Sequence, residues 1–256
     1  MTCTLIASAC TIVGRRKRNE DAYVLDAELG LFAVADGMGG YHGGEVASHL
    51  AVSTLAEFWA QSADPDNTWP YAFDRALSFH ENRVDAAVRL ANRRICERRE
   101  GDLRHMGSTL AALIVRPAAA IVAHLGDSRV YRLRAGALAQ VTRDHSLYEQ
   151  LREAGASDLP PLAEFAYANV VTRALGAAEA ERPELHTLDL QDGDLYLLCS
   201  DGLSGVLDPD AIAALLHAGP VEAAADRLVE AAFAAGSKDN ITAIVVQVRR
   251  RTRESP

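Results

Sequence analysis

The chain reads as an α+β protein of two β-sheets with helices packed outside them, and three observations predict that architecture. Short apolar segments separated by turn residues recur through the sequence. Long stretches of helical periodicity interrupt them. The order runs strands, helices, strands, helices. With 256 residues, 49% of them apolar, there is enough for one substantial core, and a single domain over 1–256 is expected.

Strands are expected first at Thr4–Thr11, Ala22–Leu25 and Leu31–Ala35. The third ends in Asp36-Gly37-Met38-Gly39-Gly40, whose glycines predict a turn. Val46, Ala47, Leu50, Ala51, Leu55, Phe58 and Trp59 then share one helical stripe. Asp64 to Pro70 reads as a loop. A second helix is expected from Asp74 to Arg99, with Leu77, Val84, Val88, Ala91 and Ile95 inward and its arginines on a solvated face. Thr109–Val115, Ala120–Leu125, Arg129–Leu133 and Leu138–Val141 look like an antiparallel meander. Residues 144–183 hold a short helix at Leu147–Ala154, a Pro160-Pro161 break and no other regular pattern, as in a loop or flap. Strands resume at Leu185–Leu190 and Leu195–Cys199. Asp208-Pro209 supplies an N-cap followed by proline at the first helical position. A helix over Val221–Ala235 stops at Gly236, Ile241–Val248 is a last strand, and 249–256 reads as a polar tail.

The formal charge of −9, with Lys17 and Lys238 the only lysines, argues against nucleic acid as the main partner. The cysteines Cys3, Cys10, Cys96 and Cys199 form no CxxC pair, which suits a reducing, cytoplasmic setting. No apolar run approaches the ~18 residues of a membrane helix.

The chemistry concentrates in aspartates at the ends of apolar strands. Asp36 follows Leu31–Ala35, Asp127 follows Ile121–Gly126, Asp201 follows Leu195–Ser200, and Asp239 precedes Asn240 and the last strand. A single Asp-Gly is an ordinary turn. Four such carboxylates beside core strands are costly unless paired or bound to cations. Oxygen donors without a Cys/His set select Mg²⁺ or Mn²⁺ rather than structural zinc. Two such ions about 4 Å apart activate a water and clamp a phosphoryl oxygen. Arg16-Lys17-Arg18-Asn19-Glu20-Asp21 adds an arginine, whose planar fork matches phosphate, beside two further acids.

Taken in order, Arg16–Asp21 (R-x-x-N-E-D), Asp36–Gly40, Gly107-Ser108-Thr109-Leu110, Gly126-Asp127-Ser128-Arg129, Ser200-Asp201-Gly202-Leu203 and Asp239-Asn240 resemble the metal-dependent protein phosphatases, the PPM or type 2C family. The minimal bacterial members are the nearest match. The resemblance implies a four-layer sandwich, two central antiparallel β-sheets flanked by helix pairs, with a flap near 144–183. It implies a serine/threonine protein phosphatase that uses a metal-activated water and opposes a Ser/Thr kinase. Asp36 would bridge two core Mn²⁺ or Mg²⁺ ions, and the Gly37 carbonyl would bind one of them. Asp201 and Asp239 would complete the second ion's shell, and Asp127 with Asp201 would hold a weaker third. Arg16 would bind substrate phosphate, Glu20 and Asp21 would orient metal-bound waters, and Asn240 would steady the Asp239 loop. The partners implied are phosphorylated proteins, with no membrane span and a monomeric chain.

Three positions depart from the family's pattern. Met38 stands where eukaryotic members often carry a histidine acid, and a thioether cannot donate a proton. Tyr41 and then His42 follow the Gly-Gly where many bacterial members have histidine directly. Gly205 stands where an aspartate is frequent, four residues after Asp201. The alternative reading is a pseudophosphatase, a phosphoprotein-binding module without the chemistry; it would need a lost ligand, and Asp36, Asp201 and Asp239 are all present.

Overall fold

Period-two alternation along the strands decides how the layers stack. A computed structural model describes residues 2–40, 42–63, 68–156 and 158–251 of the chain. Its elements are β1 (Thr2–Ile12), β2 (Asp21–Asp26), β3 (Leu31–Met38), α1 (Gly43–Gln61), α2 (Phe79–Glu97), β4 (Gly107–Ser108), β5 (Leu110–Val115), β6 (Ala119–Leu125), β7 (Arg129–Arg134), β8 (Ala137–Gln140), α3 (Leu147–Glu153), β9 (Glu184–Asp189), β10 (Leu195–Cys199), α4 (Asp201–Ser204), α5 (Pro209–His217), α6 (Ala224–Ala234) and β11 (Ile241–Arg251). One sheet runs β1-β11-β10-β7-β8 and the other β2-β3-β5-β6-β9, with β4 added beside the end of β3; every pairing is antiparallel.

On β3, Leu31, Ala33 and Ala35 pack toward α1 and α2, while Phe32 and Val34 turn to the opposite sheet. On β10 and β11, Leu197, Cys199, Ala243 and Val245 face α5 and α6, while Tyr196, Leu198, Ile244 and Val246 meet Phe32 and Val34 between the sheets. Two sheets with a helix pair on each outer face make four layers, as the sequence resemblance implied. Full burial of such a Leu, Ile or Phe is worth roughly 1.5–3 kcal/mol, so the three apolar layers supply the driving force for the stack. Cys199 is a buried free thiol.

The structure corrects several expectations. β3 continues through the expected Asp36–Gly40 turn as far as Met38, because β4 offers partners: Gly37 pairs with Ser108 and Met38 with Gly107. A Cβ at 37 would lie 2.0 Å from the Gly44 carbonyl oxygen, so only glycine lets the strand pass this close to the start of α1. α2 starts at Phe79, not Asp74, because Ser78 and Glu81 form a capping box there. The arginine face of α2 is not wholly solvated. Arg83 is buried, its guanidinium 3.8 Å from the Trp59 ring centre, and it donates to the Trp59 carbonyl and Ser62 Oγ.

The expected meander is split. β5 pairs with β6 and β7 with β8, but Gly126–Ser128 carries the chain from one sheet to the other. The expected Val221–Ala235 helix begins as a 3₁₀ turn over Val221–Ala223 and becomes α6, with Gly236 at φ +97° after its end. β11 runs to Arg251, because β1 pairs with it over its whole length, so 249–251 are strand and not tail. Residues 64–67 of the expected loop, Tyr41 and 252–256 lie outside the described residues. Between β8 and β9 the backbone is held by α3, a 3₁₀ turn at Leu162–Glu164 and isolated bridges Ser108↔Leu175 and Ser146↔Val171. No helix among the described residues is long and apolar enough to cross a membrane.

Candidate metal centre

The alternation that builds the inter-sheet core also carries polar groups to one end of it. Asp36 is next after Val34 on the inter-sheet face of β3, and Asp21 is its direct partner on β2. Ser200 and Thr242 continue the same face beyond Leu198 and before Ile244. Both reach across to the other sheet: Ser200 Oγ donates to Asp21 Oδ2 at 2.8 Å and Thr242 Oγ1 at 2.6 Å. Asp201 opens α4 directly after β10, Asp239 precedes β11, and Asp127 sits where the chain changes sheets.

These carboxylates feel one another. Burial, and then the charges of Asp21, Asp201, Asp127 and Asp239, hold the Asp36 carboxyl well above the usual carboxylate range. Burial also raises Asp201, with Asp239 adding to it while a hydrogen bond with Asp36 and the Arg16 charge oppose. Asp127 is pushed up to about 7 by burial and the Asp201 and Asp144 charges. Asp21 is pushed up to about 7 by burial, against the Thr242 and Ser200 hydrogen bonds. Glu20 is raised by burial, partly offset by Arg16.

Arg16 answers this negative charge from the rim: its half-exposed guanidinium lies 2.7 Å from Asp239 Oδ2. Asp21 Oδ1 and Asp201 Oδ1 are buried without a hydrogen-bond partner among the described residues. Buried, mutually repelling, unpartnered carboxylate oxygens with no sulfur or imidazole among them suit hard divalent cations. The residues present therefore fit Mg²⁺ or Mn²⁺.

Asn240 ties this end together. Its Nδ2 donates to the carbonyls of Val13 at 2.9 Å and Arg18 at 2.7 Å, and its Oδ1 accepts from the Glu20 N–H at 2.8 Å. Its own N–H donates to Asp239 Oδ1 at 2.9 Å. It was expected to steady the Asp239 loop; its N–H bonds Asp239 and its side chain joins that loop to the Arg16 loop. A cleft of ≈ 740 Å³ opens beside the acids, and Arg16, Asp127, Asp201, Asp239, Tyr148 and Asn169 are among the residues that line it.

Sequence reasoning assigned no role to Thr109, which ties both flanks of Asp36. Its Oγ1 accepts from the Asp36 N–H at 2.9 Å, its N–H donates to the Asp36 carbonyl at 2.8 Å, and Oγ1 lies 2.7 Å from Ser128 Oγ. Ser200 and Thr242 were legible in principle, since strand alternation places them. The bond from Arg129 to both oxygens of Asp144 at 2.7–3.1 Å was not, because it joins the first residue of β7 to the segment after β8.

At the departures, Met38 lies against Gly107 at the end of β3. His42 is exposed beside Arg18 and Glu45 and does not line the cleft. Gly205 is where the last turn of α4 closes: a Cβ there would stand 2.8 Å from the Asp201 carbonyl oxygen, which accepts the Gly205 N–H at 2.7 Å. Gly205→Asp is therefore expected to displace Asp201 and to destabilise the fold by about 1–3 kcal/mol. Thermal unfolding with and without Mn²⁺ checks it, and an unchanged midpoint in both conditions would contradict the packing argument.

The family model "Protein phosphatase 2C" matches residues 13–244. The serine/threonine protein phosphatase PstP of Mycobacterium tuberculosis is 37% identical over 235 residues, which is 91% of this chain and 43% of that protein. The chain thus spans less than half of that relative's length. Protein phosphatase PhpP of Streptococcus pneumoniae is 31% identical over 253 residues, 96% of this chain and 99% of that one. The crystal structure of the M. tuberculosis phosphatase PstP/Ppp superposes with a TM-score of 0.83 at 35% identity, covering 96% of this chain and all of that one. The PstP catalytic domain in complex with two manganese ions gives 0.81 at 36% identity, covering 97% and 100%. From the family match across most of the length, and from relatives above 30% identity, the chain belongs to the protein phosphatase 2C family.

Proposed function

We propose that the chain is a metal-dependent phosphatase that hydrolyses phosphoserine and phosphothreonine in proteins. The observation that carries this is the buried carboxylate group at one end of the sandwich, faced by Arg16 and opening on a cleft. Asp36, the Gly37 carbonyl, Asp201 and Asp239 would hold two Mn²⁺ or Mg²⁺ ions, and Asp127 with Asp201 a weaker third. When bound, such ions supply a water activated for attack and charge to stabilise the phosphoryl oxygens. Among the described residues Arg16 engages Asp239 through one guanidinium nitrogen, which leaves its other donors for a phosphate ester. Glu20 and Asp21 would orient waters at the metal centre. Met38 has no proton to give, so the leaving serine or threonine oxygen would take its proton from water or another group.

The retained acids count against a pseudophosphatase. The segment 144–183 acts as a flap over the cleft, and phosphorylated targets of a Ser/Thr kinase are the substrate class. The free cysteines suit a cytoplasmic setting, and a monomer is the expected state.

Arg16→Ala is the direct test. Loss of a charge-assisted phosphate contact of about 1.5–3 kcal/mol corresponds to a roughly 10–150-fold fall in kcat/KM on a phosphopeptide. Affinity for Mn²⁺ should not weaken, since Asp239 loses a competing cation. Unchanged kinetics would contradict the phosphate role, and loss of metal binding would reassign Arg16 to the metal centre.

A further inference from the structure

A second cluster of ligating side chains lies outside the aspartate centre, on the β6–β9 ladder. His124 is directly opposite Glu184, and Val122 is opposite His186, so all three side chains share one sheet face. Their donor atoms lie within 4.8 Å of one another.

The hydrogen bonds fix which atoms are available. His124 Nε2 lies 2.8 Å from the Arg143 carbonyl, which can only accept, so that nitrogen carries the proton and Nδ1 keeps its lone pair. His124 is fully buried, and its Nδ1 has no hydrogen-bond partner among the described residues. His186 Nε2 is likewise buried without a hydrogen bond, although Glu184 Oε1 is 3.1 Å away. His145 stacks on His124 with ring centres 4.5 Å apart. It accepts from the Gly126 N–H at Nδ1, so its Nε2–H donates to Glu184 Oε2 at 3.2 Å. That bond orients the carboxylate and leaves Oε1 toward His186. Arg173 Nη1 lies 3.4 Å from that same His145 Nε2, and its guanidinium donates to Glu181 and the Arg182 carbonyl.

An imidazole whose outer N–H is fixed on a backbone carbonyl, and a carboxylate oriented by a second histidine, are the supports that surround metal ligands. A polar pair left only to bond itself would not strand two buried imidazole nitrogens. We propose that His124 Nδ1, His186 Nε2 and Glu184 Oε1 form a binding site for Zn²⁺, separate from the aspartate centre and different in chemistry from it. Two imidazoles and one carboxylate suit a borderline cation at about 2.0–2.2 Å, with the fourth tetrahedral position open to water. Rotation of the partly exposed Glu184 and His186 closes the set; His124 is already fixed. Burial holds the His124 ring neutral, its pKa lowered to about 4, so no proton has to leave before it can ligate.

The test is zinc binding by the full chain, first stripped with chelator and then given excess Mg²⁺ to occupy the aspartates. Competition against a chromophoric zinc chelator should show one tightly held equivalent in wild type and in Asp36→Asn. His186→Ala and Glu184→Gln, at the partly exposed edge strand, should each weaken it at least tenfold while unfolding normally without zinc. In parallel, the His124 and His186 ring resonances should shift with zinc and not with Mg²⁺, which reads the site without any substitution. Absence of a tight equivalent in wild type, its survival in His186→Ala, or its loss in Asp36→Asn would overturn the proposal.

Discussion

An Asp36→Asn protein is expected to lose nearly all Mn²⁺-dependent hydrolysis of a phosphopeptide and, stripped of metal, to be more stable than wild type. Both effects follow from the same crowding. Asp36 stands among Asp21, Asp201, Asp127 and Asp239, all of like charge, so an amide at 36 relieves repulsion in the empty centre. The gain is the repulsion and burial cost that hold the Asp36 carboxyl above the usual range. With metal the order reverses, because wild type gains binding energy that the variant lacks. The pH dependence has the same origin. Asp21 and Asp127 have folded pKa values of about 7 against an ordinary 3.8. The folded state therefore keeps protons that the unfolded chain has released, and the metal-free protein should lose stability as pH rises from about 4 through about 7. Thermal midpoints of both proteins in chelator and in Mn²⁺, across that window, check all of this. Full turnover by Asp36→Asn, or a metal-free wild type that gains stability over that range, would refute it.

Asn240→Ala is expected to cost about 2–4 kcal/mol of stability and to reduce kcat/KM at least as far as Arg16→Ala. Alanine removes the Asn240 bonds to the Val13 and Arg18 carbonyls and to the Glu20 N–H, and a buried polar group that loses its bond costs about 1–3 kcal/mol. Arg16 lies between two of those anchors, so its loop loses register with Asp239. Asn240→Asp, equal in size, keeps the acceptor for Glu20 but turns oxygen toward two carbonyls, and it should fare no better. Denaturant unfolding together with phosphopeptide kinetics decides; full activity in Asn240→Ala would mean that the Arg16 loop holds itself.

Much of this was legible in the sequence because it rests on local patterns. Strand alternation and turn residues located most strands, and Asp208-Pro209 does start α5, with Asp208 Oδ1 accepting the Ala211 N–H. The acids stood out in the sequence because a carboxylate after Leu31–Ala35 or Leu195–Ser200 is out of place unless something holds it. What stayed hidden depends on partners far away in the chain. Nothing near Gly37 announces that Ser108 will pair with it and keep β3 going. Nothing in α2 separates Arg83, under Trp59, from its solvated neighbours. The step of the chain between sheets at Gly126–Ser128 is a choice of pairing, not of propensity. The His124–Glu184–His186 group escaped for the same reason, since only the β6–β9 register brings its members together.

Because one carboxylate comes from β3 and another from the turn before β11, the centre is assembled from opposite halves of the chain. During synthesis Asp36 emerges long before Asp239, and the strand that positions Asp239 completes its sheet by inserting between β1 and β10. A growing chain thus presents only scattered, solvated acids, each a weak and unselective ligand. Metal capture becomes a late event that reports a finished topology, and the repulsion among the acids is deferred until the apolar layers are in place to withstand it.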